Sequence, residues 1–143
     1  MEIFEGLDEV ARDILVILPL HPRTRKLLGN IKFSPSNLTL IPPLGYLDMV
    51  MLEKNARLIV TDSGGIQKEA FFHNVPCVTL RDETEWVELV EAGVNELVGV
   101  RKVKKIVTAV AQNMGRRIED LCQLYGGGTA AEHIVQNLVE KLK

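Results

Sequence analysis

The chain has 143 residues, 46% hydrophobic and 25% charged, which allows one compact domain with a real core and excludes a disordered chain. A formal net charge of −2 excludes the basic footprint of a nucleic-acid or anionic-membrane binder. No apolar run approaches the roughly 18 residues of a membrane span, and the acidic opening MEIFEGLDEVARD has no secretory core, so a cytoplasmic protein is expected.

In chain order, short apolar runs alternate with helical patterns. Residues 14–20 (ILVILPL) read as a buried strand, and HPRTRK gathers His21, Arg23, Arg25 and Lys26 at its carboxyl end. That cluster is either a phosphate-facing loop or an exposed basic turn. SPSN and IPPLG are turns on either side of a second strand at 38–41. A helix is predicted over 46–55, with Leu47, Val50 and Met51 as its packing stripe and Tyr46 or Met49 as either core or cover for a flat base. Strand 57–61 runs into DSGG and a helix over 66–73. Strand 77–80 carries Cys77, read as a small core residue, and ends in Arg81, Asp82, Glu83, Thr84 and Glu85. A helix over 85–92, a strand at 96–99 and a helix over 103–114 follow, with RKVKKIV as a solvated face and Trp86 against either core or site. The last helix, 129–142, follows YGGGT, with Thr129 as N-cap and Glu132 at the capping-box position. Short β-rich runs, apolar on both faces and alternating with helices, predict an α/β fold: a three-layer, doubly wound, mostly parallel, Rossmann-like sheet.

The stretch TDSGGIQKEA carries the densest chemistry. Ligands of open parallel sheets bind at strand carboxyl ends, and DSGG lies at one. Gly64 and Gly65 let an anion approach the backbone, the next helix offers unpaired N–H groups, and Ser63 adds a hydroxyl. Glu69, one turn on, suits a pair of neighbouring hydroxyls such as those of a ribose. The plainer reading is a serine cap and a glycine turn. Cys77, Cys122, His21, His73 and His133 are scattered without metal-ligand spacing, so no metal or cofactor is expected, and His73 and His133 read as surface or packing residues.

TDSGGIQKEAFFHNVPCVTLRDETEWVELVEAGVNELVG closely resembles the carboxyl-terminal domain of the non-hydrolysing UDP-N-acetylglucosamine 2-epimerases, and HPRTRK and IPPLGYLDMVML resemble two earlier landmarks of that domain in the same order. The resemblance implies one Rossmann-like domain of a glycosyltransferase-B architecture. The family interconverts UDP-N-acetylglucosamine and UDP-N-acetylmannosamine by eliminating UDP and adding it back, without metal or nicotinamide. Carried over to this chain, Ser63, Gly64 and Gly65 would hold the pyrophosphate, Glu69 the ribose, and Met49 would lie over uracil. Arg81 and Glu85 would line the nucleotide side of the cleft, and His21 would match a regulatory position. HPRTRK departs from the family's HPNP, Met49 replaces an aromatic, and Trp86 stands where an arginine is frequent.

Family members are more than twice this length, and their acid–base carboxylates lie in an amino-terminal domain. Residues 1–143 would therefore be a carboxyl-terminal UDP-binding domain, inactive alone, with UDP or UDP-N-acetylglucosamine as ligand. Its partners would be a separate amino-terminal domain or a second copy, in a homo-oligomer. The domain's first strand also has no counterpart here. It would be central in the sheet, so the strands at 14–20 and 57–61 are expected either to close on each other or to leave a gap that a second chain covers. Rival readings are a non-catalytic UDP-binding module, half of a UDP-dependent glycosyltransferase, and a phosphorelay receiver built on Asp62 and Thr79.

Overall fold

The computed structural model describes residues 2–30, 34–99, 103–118 and 122–142. Its first element is Glu2–Val10 (α1), whose Leu7 and Val10 are buried, with Ile3 and Phe4 packed beside them. The same helical spacing puts Ile106, Ala109, Val110 and Asn113 on the buried face of Val103–Asn113 (α6). The two faces meet closely because of Gly6, where a Cβ would lie 3.3 Å from the Cβ of Ile106. The opening was read only for its charge. A nine-residue helix has little stability of its own and forms here because α6 covers its apolar face.

Strand β1 (Ile17–Pro19) pairs in parallel with β2 (Thr39–Ile41). A second parallel ladder runs β3 (Ile59–Thr61), β4 (Cys77–Thr79), β5 (Asn95–Leu97). Helices connect them: α2 (Pro22–Asn30), α3 (Tyr46–Asn55), α4 (Gly64–Phe72) and α5 (Val87–Glu91), with α6 after β5. Val78, Leu80 and Val98 face the α1–α6 layer, while Ile59 and Cys77 pack with Ala70 of α4 on the other side. This is the expected Rossmann-like, three-layer α/β arrangement. Burial pushes the Cys77 thiol up to about 12, which fits an inert core residue.

The sheet is in two pieces. β1 and β3 do not pair, which overturns the expectation that they close on each other, and residues 2–10 form α1 and not a strand between them. The reason is packing. Leu38, Leu40 and Val16 from one ladder and Val60, Val78 and Leu80 from the other press on the same α1–α6 layer. Closing the gap would slide one ladder by a strand spacing of about 4.8 Å and tear that layer.

Three local expectations are corrected. HPRTRK opens a helix, α2, with Pro22 at a first-turn position where a missing N–H costs nothing. On α3, Leu47 and Met51 are exposed, whereas Glu53 is buried and Met49 and Leu52 turn inward. Hydrophobicity is spread almost evenly around α3, so its periodicity did not single out a face. Thr129 makes no side-chain cap bond to α7 (Ala130–Lys141); its Oγ1 donates back to the Gly126 carbonyl at 2.6 Å, so the capping box does not form. Lys104 and Lys105 are exposed as predicted; Arg101 and Lys102 lie outside the described residues. No helix among the described residues is long and apolar enough to cross a membrane.

Ile106 is fully buried where α1, α6 and both ladders converge. Ile106→Ala is expected to lower the unfolding free energy by about 2–5 kcal/mol in urea titrations, against less than about 0.5 kcal/mol for the exposed Ile134→Ala.

Candidate functional site

The Ser-Gly-Gly turn grows out of β3. Thr61 Oγ1 accepts the Ser63 N–H at 3.0 Å and turns the chain out of the sheet. Ser63 is the N-cap of α4 in extended geometry (φ −87°, ψ 127°), and its side chain makes no cap bond. Gly64 and Gly65 are the first helical residues, so α4 begins two positions earlier than predicted. The N–H groups of Gly64, Gly65 and Ile66 have no intrahelical acceptor, and the positive end of the helix dipole lies among them.

The loop after β4 folds over this turn. Trp86 Nε1 donates to the Gly64 carbonyl at 2.9 Å, and a Cβ on Gly64 would stand 2.9 Å from Glu85 Oε1 and 3.4 Å from Trp86 Nε1. A side chain at that position would have to displace the Glu85 carboxylate. Gly65 is open, with only Ser63 Oγ within 4 Å of such a Cβ. Arg81 Nη1 donates to Glu85 Oε2 at 3.0 Å; both side chains are solvated, so the pair orients Glu85 more than it stabilises the fold. Trp86 belongs to core and site at once: its ring packs with Phe71 and Leu89, and Lys68 Nζ lies 3.7 Å from the ring centroid. Tyr125 closes that cluster and donates to Glu88, which holds the Glu88 carboxyl below its usual range.

A buried polar chain that the sequence reading missed locks the loop to α4. Thr79 Oγ1 donates to Asn95 Oδ1 at 2.8 Å, and Asn95 Nδ2 donates to Gln67 Oε1 at 3.0 Å. Thr84 Oγ1 donates to the same Gln67 oxygen at 2.7 Å and accepts the Trp86 N–H at 3.2 Å. Gln67, Thr79 and Asn95 are almost fully buried, so every link stands in for a lost hydrogen bond to water. The only sequence signal was amide side chains at Gln67 and Asn95 inside otherwise apolar segments.

Met49 and Ser63 line one cavity of about 840 Å³. Glu69 is half-buried on α4 and faces Glu53 of α3. His21 is exposed on the other ladder, at the end of β1, where its Nδ1 accepts the Arg23 N–H at 3.3 Å. The structure thus brings together Ser63, Gly64, Gly65, Arg81 and Glu85, puts Met49 with Ser63 on the lining of one cavity, and leaves His21 apart. Glu53 was not anticipated. It is 3% exposed, both carboxylate oxygens lack a hydrogen-bond partner, and His73 Nε2 stands 3.9 Å away.

A parallel sheet with a Gly-Gly helix start at a strand's carboxyl end places this chain among the Rossmann-like α/β domains. The family model for UDP-N-acetylglucosamine 2-epimerase matches residues 1–139, and the chain belongs to that family. It is 46% identical over 139 residues to a UDP-2,3-diacetamido-2,3-dideoxy-D-glucuronate 2-epimerase of Pseudomonas aeruginosa, covering 96% of this chain and 39% of the relative. It is 43% identical to the UDP-N-acetylglucosamine 2-epimerase of Methanocaldococcus jannaschii, covering 95% of this chain and 38% of that one. A solved structure of that archaeal epimerase in complex with UDP-GlcNAc and UDP superposes with a TM-score of 0.81 at 42% identity, over 97% of this chain and 40% of that chain. The chain spans about two fifths of the length of these relatives.

Burial first, and then the neighbouring Glu69, raise the Glu53 carboxyl from 4.5 to about 7. Between those values the folded protein keeps a proton that the unfolded chain releases. Glu53 therefore favours folding fully below about pH 4.5, and that contribution is lost as pH rises through 7. Glu53→Met is expected to flatten this part of the stability–pH curve and to gain more than about 1 kcal/mol at pH 8 in urea titrations. A variant no more stable than the parent at pH 8 would contradict this. Asn95→Ala, which leaves the buried Thr79 hydroxyl with only the weak Cys77 Sγ contact and takes a donor from Gln67, is expected to cost about 1–3 kcal/mol by the same measurement.

Proposed function

We propose that this chain is the carboxyl-terminal, UDP-binding half of a UDP-N-acetylglucosamine 2-epimerase, in which Ser63, Gly64 and Gly65 hold the pyrophosphate. The observation that carries this reading is the α4 start: three amides without an intrahelical acceptor and a serine hydroxyl free of capping duty, on two glycines that leave the backbone open. Met49 lies on the neighbouring helix as cover for the uracil ring, Glu69 takes the ribose hydroxyls, and Arg81 and Glu85 edge the nucleotide side. Both relatives above are named for UDP-linked sugars, so the nucleotide is the best-supported part of the ligand.

In the full reaction the C2 proton leaves to a base and the C1–O bond breaks, releasing UDP and leaving 2-acetamidoglucal. UDP then adds back as a proton returns to the other face of C2. Charge builds on the departing pyrophosphate, where fixed amide dipoles stabilise it more strongly than in the ground state. The base belongs to polypeptide beyond these 143 residues, so this chain alone binds without turnover. The setting of this reading is a cytoplasmic homo-oligomer.

Calorimetric titration with UDP tests it. Half a cleft is expected to bind with a Kd of about 0.1–10 mM. Ser63→Ala and Glu69→Ala should each weaken binding about ten-fold, the loss of one hydrogen bond to a charged or buried partner. Saturable binding that neither variant alters would remove UDP from this turn, and sugar transfer to an acceptor by a reconstituted complex would favour a glycosyltransferase half.

A further inference from the structure

Two glycines make a loose start for a helix, since neither has a side chain to limit its backbone. The first bond of α4 is also long: the Gln67 N–H reaches the Ser63 carbonyl at 3.3 Å. A shorter bond comes from outside the helix, where Trp86 Nε1 donates to the Gly64 carbonyl at 2.9 Å. That carbonyl and the Gly65 N–H belong to one planar trans peptide and point in opposite directions. Trp86 therefore grips this peptide from behind and keeps the Gly65 N–H aimed at the exposed end of α4.

The indole is itself held from several sides. Its backbone N–H donates to Thr84 Oγ1 at 3.2 Å, and its ring packs with Phe71 and Leu89. Lys68, half-buried one turn into α4, places its Nζ 3.7 Å from the Trp86 ring centroid and 4.5 Å from that of Tyr125. Both distances lie inside the roughly 6 Å over which a cation is drawn to a ring face. Tyr125 is fixed in turn, by packing on Phe71 with centroids 5.3 Å apart and by its bond to Glu88. By the helical pattern the Gly64 carbonyl also receives the Lys68 N–H. Lys68 thus meets one carbonyl twice, through its own backbone and through the indole that its ammonium covers.

We propose that Lys68 is a positioning residue for the pyrophosphate and acts through Trp86. Its ammonium, set between two rings, holds the indole, and the indole holds the Gly64–Gly65 peptide with its amide turned to the anion. The proposal rests on the reading of this turn as the UDP site. It adds that phosphate affinity depends on a cation working behind the backbone and not on the ligand itself.

The test is a double-mutant cycle on the whole chain, with UDP affinity read from NMR titration of the Gly65 amide. Lys68→Met and Trp86→Phe are each expected to weaken UDP binding about five-fold, the worth of one cation–ring contact of this kind. The double variant is expected to bind no more weakly than Trp86→Phe alone, because phenylalanine has no N–H to pass the effect on. Lys68→Arg, which returns a cation to the rings, is expected to recover most of the parent's affinity. Trp86 is the chain's single tryptophan, so its indole N–H gives one signal, and Lys68→Met should speed its hydrogen exchange about five-fold without ligand. The Lys68 variants and this exchange rate carry the decision even where Trp86→Phe does not fold. Unchanged affinity in Lys68→Met would overturn the clamp and leave the UDP reading standing. Losses that multiply in the double variant would also overturn it, since Lys68 would then act on the ligand directly. A parent that binds no UDP would overturn the UDP reading and the clamp with it.

Discussion

The structure depends on one apolar layer. Ile106 of α6, packed into the notch that Gly6 leaves in α1, sits under Val78 and Leu80 on one ladder and Leu38 on the other. No backbone hydrogen bond links the ladders, so their spacing is set by this shared floor. Burial of one such aliphatic side chain contributes about 1.5–3 kcal/mol, and several of them together anchor both ladders to one layer. A cavity of about 840 Å³ lies between the two ladders.

The second constraint is polar. Thr79, Asn95, Gln67 and Thr84 form a chain of hydrogen bonds that starts inside the sheet and ends at the loop over Gly64. Strand β4, strand β5, helix α4 and the loop are thereby fixed to one another, so Trp86 and Glu85 arrive over the Gly-Gly start at a defined height. An anion placed there meets amides that need no reorganisation. The apolar layer and the polar chain divide the work: one spaces the ladders, the other aims the loop.

Much of this was legible in the sequence. Short β-branched runs between helical stretches gave the parallel α/β fold, and TDSGG marked the turn from a strand into a helix, though not that the glycines open that helix. What was hidden was hidden for physical reasons. Residues 2–10 read as merely acidic because their apolar face has meaning only against α6, about a hundred residues later. The inward face of α3 was misread because that helix is apolar on several sides, so the burial of Glu53 and the exposure of Leu47 and Met51 are tertiary facts. Gln67 and Asn95 looked like ordinary polar residues, since a buried network is invisible until its members meet. The basic cluster after β1 was recognised, but its helix and its distance from the Ser63 turn were not.

Exposed apolar side chains show where the fold expects company. Tyr46, Leu47 and Met51 on α3, and Ile134, Val135, Leu138 and Val139 along α7, lie bare in this chain. Patches of this kind mark contact surfaces more often than they mark solvent-facing helices. The central claim is that the start of α4 is an anion site for UDP, and the most direct measurement is the amide NMR spectrum of the folded chain titrated with UDP, beside uridine. The account predicts that UDP shifts the Gly64, Gly65 and Ile66 amides first and most, and that uridine, lacking phosphates, leaves them in place. Unmoved glycine amides under saturating UDP, or equal shifts with uridine, would contradict it.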